Sequence, residues 1–250
     1  MNDHSFERGW RERFTEFAEG SDDDAGIAGW TAFGLAARVR RFTQVWPGDQ
    51  AGAIWVDAGC GAGTYTRLLA SKNLNVIGLD YSATSIYKAR ERSHSVSGWG
   101  VADVLRLPVR REVAAGVLCL GVTQALSSSD GVVAELTQCV RPGGQIWVDG
   151  LNAWCLPHVW ERMWRRLQGR PPHVRYESPW RLRRLLRRHG AEHVKLFWLP
   201  VAPGRLRSLQ VVLEKRWVQA LFAALPIVGA LFSHSMLVCG DKPHGPEHGG

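Results

Sequence analysis

The stretch WVDAGCGAGTYTR, residues 55–67, decides the fold of this chain. Its acid, Asp57, is followed by three glycines at alternate positions, which are Gly59, Gly61 and Gly63. The apolar run Ala53–Asp57 predicts a buried strand, and Gly63–Ser71 predicts a helix. Because glycine lets the backbone turn sharply and approach a ligand closely, the loop between them is a candidate binding loop at the carboxyl edge of a sheet.

Charged residues near this loop constrain the ligand. The spacing disfavours a pyrophosphate cradle, since Thr64 stands where the dinucleotide fingerprint requires a third glycine. Asp57 would repel a phosphate but suits an ammonium or a sulfonium. Asp80 ends the next predicted strand, where a carboxylate can accept the hydroxyls of a ribose. Asp103 ends the third, where a carboxylate can accept the amino group of adenine. These acids predict a nucleoside with a cationic, amino-acid-like tail.

Predicted strands alternate with predicted helices from residue 53 onward. The strands are Ala53–Asp57, Asn75–Asp80, Gly98–Asp103, Val113–Val122, Gln145–Gly150, Ala191–Leu199 and Ser233–Gly240. The helices are Gly63–Ser71, Ser82–Ser93, Asp130–Val140 and one within SPWRLRRLLRRHG, where Ser178 is the expected N-cap. The RPGG segment at 141–144 predicts a turn. This alternation predicts an α/β fold with a parallel sheet and helices on both faces.

Other segments flank this core. One helical face is predicted from the spacing of Phe6, Trp10, Phe14 and Phe17, and a second apolar helix over Gly26–Val45. Another apolar stripe consists of Trp160, Met163, Trp164 and Leu167. We expect a single domain over 1–250, with N-terminal helices at 1–50, a cofactor-binding core at 53–150, acceptor-side insertions at 151–177 and 204–232, and a loose tail at 241–250.

Four segments, in order, resemble motifs of the class I S-adenosylmethionine-dependent methyltransferases. VDAGCGAG is similar to their D-x-G-x-G-x-G loop, and VIGLDYS to their ribose-acid segment. VADVLRLPV resembles the adenine-contacting segment, and CVRPGGQIWV the turn before the fifth strand. The match is close over 53–150 and looser over 178–240. The resemblance implies a Rossmann-like, seven-stranded, mostly parallel sheet with an antiparallel last strand. The nearest subgroup comprises enzymes of quinone and other small-molecule biosynthesis.

The resemblance also implies S-adenosylmethionine as the cofactor and assigns residues to its parts. The methionine moiety is expected at Asp57 and the loop of Gly59, Gly61 and Gly63. The ribose is expected at Asp80, and the adenine at Asp103 and the amide of Val104, with Tyr81 packing on either. The five cysteines form no C-x-x-C pair, so no metal site is expected.

The expected reaction is an in-line displacement at the methyl carbon, which depends mainly on positioning. A general base is needed only for an amine or a poorly acidic hydroxyl. Candidate acceptor-binding residues are Thr123, Gln124, Asn152 and Trp154. His158 and His173 are candidate bases, but each also fits a structural or solvated role, so no base is assigned.

The net charge of +8 is unevenly distributed. Residues 155–216 contain fifteen Lys and Arg against four Glu, which is +11, and the remainder is therefore −3. This excess favours a nearby anionic surface or ligand. The insertions are rich in tryptophan and leucine, which favours a small hydrophobic acceptor. The resemblance implies oxygen as the preferred methylated atom, because oxygen is a common acceptor among those methyltransferases. The second insertion could be a basic amphipathic membrane-contacting element, or a helix packed on its own domain.

Two other classes stay open. A nucleic-acid methyltransferase could use the arginines of SPWRLRRLLRRHG against phosphates. Against this, no separate RNA-binding segment is evident and the fourth strand ends in LGVTQ rather than an N-P-P-Y-type motif. A non-catalytic cofactor-binding protein would bind without turnover. No signal peptide opens the chain and no apolar run reaches the roughly 20 residues of a membrane span, so we expect a cytoplasmic location, peripherally at the inner membrane face if membrane contact occurs.

Overall fold

The computed structural model describes residues 3–93, 95–202 and 208–244. The strands are β1 (Ile54–Ala58), β2 (Asn75–Asp80), β3 (Gly98–Val101), β4 (Ala114–Cys119), β5 (Val140–Leu151), β6 (Glu192–Leu199) and β7 (Ser235–Asp241). The helices are α1 (Asp3–Gly20), α2 (Asp24–Ile27), α3 (Ala32–Val45), α4 (Thr64–Ala70), α5 (Ala83–Glu91), α6 (Asp130–Cys139), α7 (Leu156–Leu167), α8 (Pro179–Arg188), α9 (Leu209–Leu213), α10 (Arg216–Ala224) and α11 (Pro226–Phe232). A 3₁₀ turn covers Thr123–Ala125.

These strands form one seven-stranded sheet in the order β3-β2-β1-β4-β5-β7-β6. The strands from β1 to β5 pair in parallel, and β7 runs antiparallel to both β5 and β6. The predicted α/β, Rossmann-like fold with an antiparallel last strand is therefore confirmed. The chain reverses its direction of winding between β1 and β4, and ligands of such sheets bind in the crevice at that point.

Both faces of the sheet are packed. On one face, Phe42 of α3 makes a T-shaped contact with Trp147 of β5, with ring centroids 5.3 Å apart. On the other, Leu182 and Leu186 of α8 lie fully buried in the cluster that contains Met236 of β7. Burial on both faces explains why the central strands are continuous apolar runs.

Several local predictions differ from the structure. The helix predicted over Gly26–Val45 is interrupted, because Thr31 accepts a 3.1 Å hydrogen bond from the amide of Gly34 and starts α3 anew. RPGG lies within β5, at a register shift against β4, rather than in a turn before it. Ser178 precedes α8 as predicted, but its side chain makes no capping hydrogen bond.

The second insertion and the C-terminal tail also differ from expectation. The described part of this insertion, from residue 208 onward, forms three short helices, α9 to α11, rather than one. Its residues 204–207 lie outside the described residues. The predicted loose tail is ordered at its start, because Asp241 belongs to β7 and Lys242 Nζ donates to the carbonyl of Val140 at 2.9 Å. Residues 245–250 lie outside the described residues. Within the described ranges, no helix combines the length and the apolar character needed to cross a bilayer.

Candidate cofactor and acceptor chamber

A chamber opens at the carboxyl ends of β1, β2, β4 and β5. Its floor consists of Gly59, Cys60, Gly61, Ala62, Thr64, Tyr65, Asp80, Tyr81, Ser85, Asp103, Val104, Leu120, Gly121, Val122, Ala125, Leu126 and Asp149. Its cover, from the N-terminal helices, consists of Glu7, Trp10, Arg11, Phe14, Asp24, Ile27, Ala28, Trp30, Leu35 and Arg38. Six of the eight predicted cofactor residues line it; the exceptions are Asp57 and Gly63.

Two of the three glycines of the loop have no room for a side chain. Gly59 has φ +79°, and a Cβ placed there would lie 2.2 Å from Cγ2 of Val122. Gly63, with φ +80°, starts α4 behind the chamber, where a Cβ would lie 2.4 Å from the ring of Trp99. The loop leaves a cradle whose wall is backbone, which suits a ligand that approaches closely.

Asp80 joins this loop to the end of β2. Its Oδ2 accepts from the amide of Gly61 at 2.8 Å, and its Oδ1 accepts from the amide of Ser82 at 2.8 Å. Burial raises the pKa of Asp80, while both amides oppose that rise. Each carboxylate oxygen keeps a second acceptor site, so this side chain can still accept ribose hydroxyls.

Asp57 lies behind the loop rather than on the chamber wall. It is only 1% exposed, and its Oδ2 accepts from the hydroxyl of Thr66 at 2.6 Å. Burial raises its pKa to about 6. The resemblance implied that this acid contacts the methionine moiety, but its carboxylate is bound to Thr66 of α4, beneath the loop, and does not line the chamber. Its charge acts on the cradle from below.

Asp103 meets a partner that the sequence analysis missed. Its Oδ2 accepts from Arg11 of α1 at 2.6 Å, and its Oδ1 accepts from the amide of Leu105 at 2.9 Å. The same guanidinium lies 4.6 Å from the centroid of the Tyr81 ring. The predicted adenine site, including Val104, is thus closed from above by an arginine 92 residues away in sequence.

Further ion pairs and a hydrogen bond hold the N-terminal helices over the chamber. Asp24 of α2 accepts from Arg67 of α4 and, at 3.2 Å, from Arg92 after α5. Glu7 of α1 accepts from the amide of Ser127 at 2.9 Å. These contacts reach both sides of the crevice, so α1 and α2 form a cover.

A buried ion pair stands on the acceptor side. Arg38 of α3 is 3% exposed and Asp149 of β5 is 2% exposed. Arg38 Nη1 donates to Asp149 Oδ2 at 2.7 Å, and the amide of Gly121 donates to Oδ1 at 2.7 Å. The guanidinium stacks 3.9 Å from the Trp30 ring, and its Nη2 has no hydrogen-bond partner among the described residues. An acid inside the apolar run of β5 was the sequence signal for this pair.

The residues predicted to bind the acceptor do not line the chamber. The hydroxyl of Thr123 donates to the Asp149 carbonyl at 2.8 Å. The Gln124 amide donates to the Gly121 carbonyl at 2.6 Å. Asn152 Nδ2 donates to two carbonyls near α11. These buried groups satisfy backbone at the strand ends, and Trp154 instead packs outside, 5.0 Å from Trp180.

The two candidate bases also lie outside the chamber. His158 Nδ1 donates to the carbonyl of Asn152 at 2.8 Å, and its ring packs between Tyr176 and His234. Burial lowers its pKa. His173 faces Glu161 at 3.4 Å, and partial burial lowers its pKa too. Neither histidine is placed to take a proton from an acceptor in the chamber.

The doubly wound sheet, the backbone cradle and the acids at successive strand ends are arranged as in the class I S-adenosylmethionine-dependent methyltransferase fold. Residues 56–148 match the family described as a methyltransferase domain. The predicted family and cofactor are thereby confirmed, and the cradle fits the cofactor because Gly59 and Gly61 line it without side chains and Asp80 offers free acceptor sites.

Each match to a curated protein covers only part of that protein's length. The chain is 30% identical to the malonyl-[acyl-carrier protein] O-methyltransferase of Enterobacter lignolyticus over 150 residues, which cover 59% of this chain and 55% of that protein. It is 31% identical to the tRNA (carboxymethyluridine(34)-5-O)-methyltransferase of Arabidopsis thaliana over 117 residues, covering 46% and 27%. The matches therefore span about half or less of these relatives' lengths.

Solved structures share the whole fold. Magnesium protoporphyrin IX methyltransferase of Synechocystis, with bound S-adenosylhomocysteine, superposes with TM-score 0.65 at 13% identity, covering 95% of this chain and 99% of that one. Phosphoethanolamine N-methyltransferase 2 of Haemonchus contortus, with S-adenosylmethionine, gives TM-score 0.63 at 16% identity, covering 92% and 60%. At such identities the likeness concerns the fold alone.

Proposed function

We propose that this protein transfers the methyl group of S-adenosylmethionine to an oxygen of a small hydrophobic acceptor. The observation that carries the proposal is the chamber itself, where the cofactor cradle faces a largely apolar wall that contains the buried Arg38–Asp149 pair. The apolar side chains of that wall are Trp10, Phe14, Ile27, Trp30, Leu35, Leu120, Val122 and Leu126. Water is poorly accommodated by such a wall, whereas an apolar acceptor gains free energy on entering it.

The proposed cofactor contacts follow from the lining residues. The amides of Gly59 and Gly61 approach the methionine moiety, with the Asp57 charge beneath them. Asp80 accepts the ribose hydroxyls. Asp103 and the Val104 amide face the adenine, on which Tyr81 packs.

On the acceptor side, the main role of this chain's residues is to position the acceptor and to exclude water. Bound S-adenosylmethionine supplies the electrophilic methyl group. Trp30 and Leu35 restrict the acceptor to a narrow approach and exclude water, which raises the fraction of productive encounters. The Arg38–Asp149 pair is a charged group on this wall. Nη2 of Arg38, which has no hydrogen-bond partner among the described residues, can donate to an acceptor oxygen, and Asp149 can accept a hydroxyl proton. This pair replaces the two histidines as the candidate proton-handling group.

Oxygen as the methylated atom is supported by two relatives named malonyl-[acyl-carrier protein] O-methyltransferase. A cytoplasmic location, at or near the inner face of a membrane, accords with a hydrophobic acceptor. The second candidate function is methylation of RNA, favoured by a relative named as a tRNA methyltransferase and by the exposed arginines of α8, which are Arg181, Arg184, Arg187 and Arg188.

Label transfer separates these functions. The protein is incubated with methyl-labelled S-adenosylmethionine and with organic extract, aqueous metabolites or RNA from the source cell. We expect label in the organic fraction, lost in Asp80→Ala and kept in Glu192→Ala, an exposed acid on β6. Label in RNA would establish the second candidate and refute the first. Cofactor binding without label in any fraction would indicate a binding protein.

A further inference from the structure

Helix α7 turns its apolar stripe outward. The six large apolar side chains at its exposed positions are Leu156, Val159, Trp160, Met163, Trp164 and Leu167. Their spacing of three and four residues places them on one face of the helix. Trp160 is 63% exposed and Leu167 is 74% exposed. A surface helix normally buries such a stripe, so this orientation is opposite to that of an ordinary amphipathic helix.

The polar face of α7 holds the helix in this orientation. His158 Nδ1 donates to the Asn152 carbonyl at 2.8 Å, and Tyr176 donates to Glu161 at 3.0 Å. Arg162 donates to the Ala153 carbonyl. These contacts are made by residues on the side of the helix opposite to Trp160, so the stripe is exposed by specific bonds rather than by loose packing.

Charge around the stripe indicates what covers it. Arg166 on α7 and Arg170 just after it are exposed, whereas Glu161 is engaged by Tyr176 on the inner face. A second copy of this cationic surface would repel the first.

The area of the stripe is also small. From the rise per residue and the diameter of a helix, the stripe is about 18 Å long and about 10 Å wide, which gives about 200 Å². A stable protein interface needs about 800 Å² from each partner.

We propose that the outward stripe of α7, with Arg166 and Arg170 at its rim, docks the protein on a membrane surface that carries anionic lipids. Tryptophan and leucine enter the interfacial region while the arginines meet headgroup phosphates, which is how interfacial helices bind. The inference goes beyond methyl transfer. The sequence analysis considered membrane contact for the second insertion, whereas the surface proposed here lies on the first insertion.

Vesicle sedimentation tests this surface. Purified full-length protein is mixed with vesicles of phosphatidylcholine alone or of equal parts of phosphatidylcholine and phosphatidylglycerol. We expect binding to the mixed vesicles that weakens in high salt, since salt screens the arginines. Trp160→Glu/Leu167→Glu should reduce the partition coefficient by about tenfold or more, because two charges replace two inserted side chains.

Three controls make the result decisive. Tyr87→Glu changes an aromatic residue of equal exposure, 64%, on α5. Trp217→Glu probes α10 of the second insertion. The third control is the binding of S-adenosylhomocysteine by each variant. Unchanged binding shows that the variant is folded, and this readout does not depend on methyl transfer to any acceptor. The proposal is refuted if the wild type binds neither vesicle, if Trp217→Glu rather than the α7 variant loses binding, or if the α7 variant instead loses binding to RNA.

Discussion

Breaking the Arg38–Asp149 pair from one side should destabilise the protein strongly. In Asp149→Leu, the guanidinium keeps its charge at 3% exposure, and the amide of Gly121 loses its acceptor. Removal of one partner of a buried pair costs about 3–5 kcal/mol of the free energy of unfolding. For a chain of this length each kcal/mol corresponds to about 2–4 °C, so the Tm should fall by about 6–20 °C.

The double variant Arg38→Met/Asp149→Leu should recover most of this loss, because two apolar side chains leave no uncompensated charge. The measurement is urea unfolding at neutral pH, followed by circular dichroism, beside thermal unfolding. Asp22→Leu, which breaks the exposed pair with Lys88, is the control and should leave the midpoint unchanged. The reasoning fails if Asp149→Leu costs less than about 1 kcal/mol, or if the double variant is no more stable than the single one.

Three other predictions concern the cofactor site. Below a pH of about 6, the affinity for S-adenosylhomocysteine should decrease, approaching a tenfold loss for each pH unit. The reason is that Asp57 then binds a proton, and its negative charge beneath the ligand's ammonium group is lost. In titration calorimetry, Asp57→Asn should bind more weakly than the wild type and with little dependence on pH. Gly59→Ala should abolish S-adenosylhomocysteine binding, since its Cβ would lie 2.2 Å from Val122, while Gly20→Ala, with open space around it, should bind normally in the same assay. Arg11→Met should make α1 more susceptible to limited proteolysis, and S-adenosylhomocysteine should protect the wild type; equal cleavage in all samples would contradict the assignment of α1 as a cover.

The fold could be predicted well from local patterns. Apolar runs and turn residues located all seven strands, and the ends of the strands located Asp80 and Asp103 at one edge of the sheet. This works because strand periodicity, glycine conformations and helix caps are properties of short segments. The class of ligand followed from the types of residue at those strand ends.

The site was predicted less completely, because its remaining walls come from distant segments. Arg11 reaches Asp103 across 92 positions and Arg38 reaches Asp149 across 111, and no local pattern encodes either contact. The residues predicted to bind the acceptor lie outside the chamber lining for a related reason. Thr123 and Asn152 lie at the expected strand ends, but nearby carbonyls capture their side chains inside the protein.

The sequence by itself determined the sheet, the glycine loop and the chemical class of the cofactor, since each depends on residues adjacent along the chain. Only the tertiary structure decided which charges face the chamber and which way α7 turns. Periodicity identifies the residues that share a helix face, but the direction of that face is set by the bonds of His158 and Glu161 to residues elsewhere in the fold. Those bonds turn the apolar stripe of α7 toward the outside of the molecule.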